Sequence, residues 1–194
     1  VFISYAHKDV EGHPERERYL RELKDGIERL AGKPLVFLDS ESIQPGETWN
    51  SKIMVGIHSC KVFLCLLSRN YLNSEYCKRE YLWWCQKELR HGRLRKMTLP
   101  VYYVQFPECL EDVAASSRMA DELLAFQVGG AARPWFGEGE EDFKEEIIRE
   151  RLEDVVRRTN GFLTADKSTE LSFCSIRQYN RAFVGRLSEL RQLW

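Results

Sequence analysis

The sequence predicts an α/β fold in which a parallel sheet is covered on both faces by helices. Two observations carry that prediction. Short apolar runs alternate with charged stretches in which apolar residues recur at helical spacing. The strand-like runs at residues 61–67 and 98–104 are also apolar almost throughout, as strands buried on both faces must be. Crossovers between such strands are expected to be right-handed.

The first strand is predicted at residues 1–5 (Val-Phe-Ile-Ser-Tyr), which run at once into Ala6, His7, Lys8 and Asp9. From Pro14 to Ala31, Tyr19, Leu20, Leu23, Ile27 and Leu30 recur among charges, which predicts an amphipathic helix ended by Gly32-Lys-Pro. Residues 35–38 (Leu-Val-Phe-Leu) are the second strand. Residues 39–48 are a polar loop turning at Pro45-Gly46. A short helix is predicted over 49–58, the third strand over 61–67, a helix over 75–91 and the fourth strand over 98–104. Asn73 or Ser74 can cap the helix that starts at 75, and that stretch contains no Gly or Pro before His91. Beyond residue 104 the pattern loosens. One helix is expected near 119–125, a small fifth strand at 126–128, and a clear amphipathic helix over 140–158. Residues 160–180 read as a linker.

Composition narrows the function classes. With 29 Lys and Arg against 30 Asp and Glu the net charge is −1, so nothing calls for nucleic acid or an anionic membrane. No apolar run is long enough to span a bilayer, and no signal peptide is evident. The chain opens without Met, directly on an apolar run, so the N-terminus reads as trimmed. Six cysteines show no C-x-x-C pair and no His in ligand spacing. They are expected to be buried free thiols in a reducing cytoplasm, and no metal site is expected.

The chemistry is placed on the helix from residue 75. There Glu80 has Tyr76 and Trp84 four residues away, and Cys77 and Trp83 three away, on one face. A carboxylate in the middle of such a stripe is costly unless something polar meets it. Either a buried hydroxyl or a pocket rim satisfies it, or it works on a ligand. In a parallel α/β sheet ligands bind outside the carboxyl ends of the strands. Ser4, Tyr5 and Asp39 close the first two strands at that edge, and the start of the Glu80 helix reaches it too.

Three motifs then stand in order: Phe2-Ile-Ser-Tyr-Ala; Phe37-Leu-Asp39 with a Pro-Gly loop and Trp49; and Ser68-x-x-Tyr-x-x-Ser-x-Tyr-Cys-x-x-Glu80, continued by Leu99-Pro-Val-Tyr. Together they resemble the signature boxes of a Toll/interleukin-1 receptor (TIR) domain of the bacterial type, over roughly residues 1–155. The resemblance implies a flavodoxin-like, doubly wound sheet of five strands, with the domain at 1–158. It also implies either cleavage of NAD between nicotinamide and ribose, or a non-catalytic adaptor that binds other TIR domains. NAD is then a substrate, and no cofactor is implied.

In NAD-cleaving members of the family the catalytic carboxylate falls at Glu80. The aromatic residue four positions earlier, usually Trp, is Tyr76 here. Ser4, Tyr5 and Asp39 would line the pocket mouth, and the loop 40–48 with Ser42 and Gly46 would close over the dinucleotide in front of Trp49. Each of these has a plain structural rival: Asp39 as a loop cap, Ser4 as a partner for backbone, Trp49 as core. A phosphoacceptor receiver domain of similar topology is excluded, because it needs an Asp where Leu67-Ser68 stands. No G-x-x-x-x-G-K-[ST] run occurs either.

The last residues, Ala182-Phe-Val-Gly-Arg-Leu-Ser-Glu-Leu, resemble the opening of the signal-transduction NTPases that include NB-ARC modules. That likeness implies linker at 159–180 and the start of an NTPase or a terminal helix at 181–194. It also implies an effector for bacterial antiviral defence, switched on when a longer sensor clusters its TIR domains.

Overall fold

The computed structural model describes residues 1–38, 49–92, 97–106, 117–125, 134–137 and 145–165. Among them is a four-stranded, fully parallel sheet in the order β2-β1-β3-β4, with β1 at Phe2–Ser4, β2 at Phe37–Leu38, β3 at Phe63–Leu67 and β4 at Thr98–Tyr102. The helices are α1 (Pro14–Ala31), α2 (Trp49–Ser59), α3 (Arg69–Asn73), α4 (Glu75–Arg90), α5 (Arg118–Ala125) and α6 (Glu145–Ala165). A single 3-10 turn, His7–Asp9, follows β1.

Period-two alternation along the strands divides the core in two. Ile3, Leu64, Leu66, Leu99 and Val101 face the layer of α1 and α6, packing on Leu20, Leu23, Ile27, Leu152 and Val155. Phe2, Phe63, Cys65 and Leu67 face the layer of α2 to α5, packing on Ile53, Ile57, Tyr71, Tyr81, Trp84 and Leu123. In that second layer Phe37, Phe2, Phe63 and Trp84 form a row of stacked rings, with successive centroids 5.2, 5.4 and 5.3 Å apart. The row crosses the sheet from β2 to α4 and fixes the helix against it.

α1 matches its predicted span because both ends are specified locally. Pro14 occupies the first turn, and Gly32 adopts φ 70° while its N–H reaches Arg29 O. Leu30, expected on the buried stripe, is exposed. β2 is shorter than predicted for a physical reason: the N–H groups of Leu35 and Val36 both donate to Glu28 Oε1 at 3.1 Å, so neither joins the ladder. β4 stops at Tyr102 because β3 has ended; the amides of Tyr103 and Val104 both turn to Leu67 O.

The expected five-stranded sheet therefore has four strands among the described residues, plus one isolated parallel bridge, Val104 to Phe136. Around that bridge the amide of Trp135 donates to Tyr102 O and Tyr103 O, that of Phe136 to Tyr103 O, and that of Gln105 to Phe136 O. The fifth strand predicted at 126–128 lies outside the described residues. α6 runs to Ala165, seven residues past the predicted end at Arg158, so the first part of the predicted linker is helical. The remainder of the linker and residues 181–194 lie outside the described residues.

Candidate active site

Glu80 reaches the strand tips. α4 begins at Ser74, whose hydroxyl accepts the N–H of Cys77 at 3.3 Å. The preceding Asn73 instead closes the short α3, capped in turn by Ser68 through the N–H of Tyr71 at 2.9 Å. With α4 anchored on the aromatic row, Ser4 Oγ lies 2.5 Å from Glu80 Oε2 and 3.1 Å from the Tyr71 hydroxyl. Ser4 is the last residue of β1, so the carboxylate stands at the carboxyl end of the sheet. It is buried, with 5% of its surface exposed. A 2.5 Å contact from a hydroxyl to a carboxylate is a short, charge-assisted hydrogen bond. A buried hydroxyl thus does satisfy Glu80.

The carboxylate is at the edge of the buried stripe rather than in its middle. At about 100° per residue, Trp84 and Cys77 lie about 40° and 60° to one side of Glu80, and both are buried. Tyr76 and Trp83 lie at matching angles to the other side, where Trp83 is half-buried and Tyr76 is 55% exposed. The Arg79 guanidinium sits 5.8 Å from the Tyr76 ring centroid. Glu80 therefore separates the packed face of α4 from a face carrying an accessible aromatic ring.

Tyr5 is not brought to Glu80. Alternation sends its side chain to the opposite face of the sheet from Ser4, into the α1 and α6 core, where it stacks on His7 at 5.1 Å. What Tyr5 gives the Glu80 side is its backbone carbonyl, 3.5 Å from Cys77 Sγ. Trp49 opens α2 at the level of the backbone. Asp39, Ser42 and Gly46 lie outside the described residues.

A second carboxylate, not singled out from the sequence, occupies the same edge. Asp9 is buried, accepting the Ser68 hydroxyl on Oδ2 and Asn70 Nδ2 on Oδ1 at 2.8 Å. Arg16 ties this turn down, donating to Asp9 O and to Gly137 O, each at 3.2 Å. Burial pushes the Asp9 carboxyl above its ordinary value, against the Ser68 and Asn70 hydrogen bonds and the Arg16 charge. The available signal was an Asp just past the first strand and a Ser just past the third, neighbours once the sheet is parallel. Tyr71 connects the two carboxylates, its amide on Ser68 and its phenol on Ser4. Among the described residues no group of three His, Cys, Asp or Glu is placed to hold a metal ion, and no helix is long and apolar enough to cross a membrane.

Comparison with known proteins adds to this geometry. Over 103 residues the chain is 29% identical to the probable 2′ cyclic ADP-D-ribose synthase BdTIR of Brachypodium distachyon, covering 53% of this chain and 40% of that one. It is 31% identical over 97 residues to Toll-like receptor 4 of Pinctada imbricata, covering 50% of this chain and 9% of that one. The chain thus matches less than half the length of these curated relatives. Among solved structures, the TIR domains of the activated Roq1 resistosome superpose with a TM-score of 0.46 at 16% identity, covering 80% of this chain and 82% of that one. The family model for the TIR domain matches residues 1–123. With its parallel sheet, its ordered motifs and that match over more than half its length, the chain belongs to the TIR domain family.

Proposed function

We propose that this chain cleaves NAD at the bond between nicotinamide and ribose, with Glu80 as the catalytic carboxylate. The observation that carries the reading is the placement of Glu80 at the strand tips, fixed by the Ser4 hydroxyl at 2.5 Å beside the exposed Tyr76. A matched relative named as a cyclic ADP-D-ribose synthase supports the same substrate class. Nicotinamide leaves a cationic ring as a neutral molecule, taking the electron pair of the broken C–N bond, so no general acid is needed. What the protein supplies is a negative charge near the ribose, which stabilises the oxocarbenium character that develops as the base departs. Water then adds to the ribose carbon and loses a proton to solvent, giving ADP-ribose. A ribose hydroxyl in the same role gives a cyclic product, and an incoming base gives exchange. Residues 40–48, with Ser42 and Gly46, are the proposed lid over the dinucleotide, with Trp49 behind it and Ser4, the Tyr5 backbone and Asp39 at the pocket mouth.

The setting we propose is a cytoplasmic effector of a bacterial antiviral sensor. Residues 181–194 lead into its NTPase, and clustering of TIR domains completes the active site. The test is NAD consumption by protein held in clusters through a fused coiled coil, with products separated by chromatography. Clustered wild type is expected to consume NAD faster than dilute protein. Glu80→Gln, which keeps shape and removes charge, is expected to lose at least about 100-fold. A rate strictly linear in protein concentration removes the clustering requirement, and full activity in Glu80→Gln removes the catalytic role.

One observation favours a second reading, a non-catalytic module that binds other TIR domains. Glu80 is only 5% exposed and already has a hydroxyl partner, as a purely structural carboxylate would. Clustered wild type that leaves NAD intact, yet associates with a second copy, would establish that reading.

A further inference from the structure

We infer that Tyr71 is a positioning residue for Glu80, acting through the Ser4 hydroxyl. The inference rests on the proposed role of Glu80 and deepens it. Ser4 Oγ lies within hydrogen-bond distance of both Tyr71 and Glu80, but a serine hydroxyl carries one proton. The carboxylate, 2.5 Å away, accepts the hydrogen bond from that proton, so the 3.1 Å contact runs the other way: the Tyr71 hydroxyl donates to Ser4. The order of donation is therefore fixed, from phenol to serine to carboxylate.

Two further features hold that order. Tyr71 has no exposed surface, and burial pushes its phenol well above its ordinary range, so it stays a donor. Cys65 stands in register with Ser4 on the neighbouring strand, and its thiol meets the Tyr71 hydroxyl. Burial keeps that thiol protonated as well, so it presents no competing thiolate acceptor for the Tyr71 proton. The ring of Tyr71 is fixed independently of its hydroxyl, by core packing against the sheet and by the Ser68 cap on its amide.

Without the phenol proton, the Ser4 hydroxyl is free to rotate and donate elsewhere, and the short contact by which Ser4 orients the Glu80 carboxylate is weakened. The consequence falls on the chemical step, because a carboxylate that stabilises a developing cation acts through its orientation. Substrate binding away from that carboxylate is unaffected.

The test compares Tyr71→Phe, Ser4→Ala, the double variant and Glu80→Gln in clustered protein, reading kcat and KM for NAD cleavage, the thermal midpoint, and the side-chain carboxyl 13C resonance of Glu80. That resonance is assigned by its loss in Glu80→Gln. Tyr71→Phe keeps the ring, so it is expected to lower kcat about 10-fold with KM within about 2-fold. In the Ser4→Ala background the same change is expected to cost nothing more, since the path to Glu80 is already cut. The Glu80 resonance is expected to move in Tyr71→Phe and not to move further when Tyr71→Phe is added to Ser4→Ala. Unchanged kcat in Tyr71→Phe, an undiminished loss in the double variant, or a fixed Glu80 resonance overturns the inference. If Glu80→Gln keeps full activity, the catalytic reading fails instead, and the resonance alone then decides whether Tyr71 positions the carboxylate.

Discussion

Gly56 and Gly161 offer the same substitution in two opposite settings, and the contrast tests the seam that holds β2 beside α2. Both sit within helices, α2 and α6. A Cβ at Gly161 meets nothing within 4 Å, whereas at Gly56 it falls 2.9 Å from three carbons of the Phe37 ring. Replacing helical Gly by Ala gains about 0.8–1 kcal/mol in propensity, and this part is common to both sites. Overpacking a fixed ring costs about 1–3 kcal/mol. Phe37 cannot simply swing away, because its ring is stacked on Phe2 at 5.2 Å and its N–H is held by Val1 O at 2.7 Å. Gly161→Ala is thus expected to stabilise by about 0.5–1 kcal/mol, and Gly56→Ala to fall about 1–3 kcal/mol below it. Urea unfolding of both variants at one pH reads that difference directly, with equal m-values required for the comparison. A gap below about 0.5 kcal/mol, within the usual scatter of surface substitutions, would show that the Phe37 ring does not lie over Gly56. The seam matters for function because β2 leads straight into residues 39–48, where the proposed lid begins.

Asp9 makes a prediction in pH. Its folded value is raised above the ordinary 3.8 by burial, so between those two values the folded chain holds more protons than the unfolded one. The stabilising contribution is present below pH 3.8 and is lost as pH rises through the folded value. Wild type should therefore lose stability relative to Asp9→Asn as pH rises above 3.8. The comparison is made by urea midpoints, and a slope of opposite sign refutes it. Tyr76→Ala removes a half-exposed ring, so the unfolding free energy should change by no more than about 0.5 kcal/mol. If the ring stacks on nicotinamide, KM for NAD should rise about 2- to 10-fold, the equivalent of one aromatic contact; an unchanged KM rejects that role.

Much of the fold could be read from local pattern because each signal was self-contained. Pro14 and Gly32 bracket α1, Ser74 starts α4, and continuous apolar runs mark β3 and β4. Where structure and local pattern differ, partners outside the strand itself decide. Glu28 takes two amides that looked like strand, and the end of β3 truncates β4. Tyr5 is a different case. The two-residue period of a strand sets its side chain opposite that of Ser4, in the layer of α1 and α6.

By itself the sequence determined a parallel α/β sheet, an acid on the fourth described helix among aromatic neighbours, and the family its motifs belong to. Helical and strand periodicity suffice for the sheet and for placing the acid, since they follow from the backbone, whereas the family rests on the order and spacing of the motifs. Tertiary structure alone decided what the acid touches. Ser4 meets Glu80 across 76 residues, Tyr71 meets Ser4 across 67, and Ser68 meets Asp9 across 59. Such contacts exist only once parallel pairing has brought the ends of β1 and β3 together, and no periodicity along the chain encodes which hydroxyl will face which carboxylate.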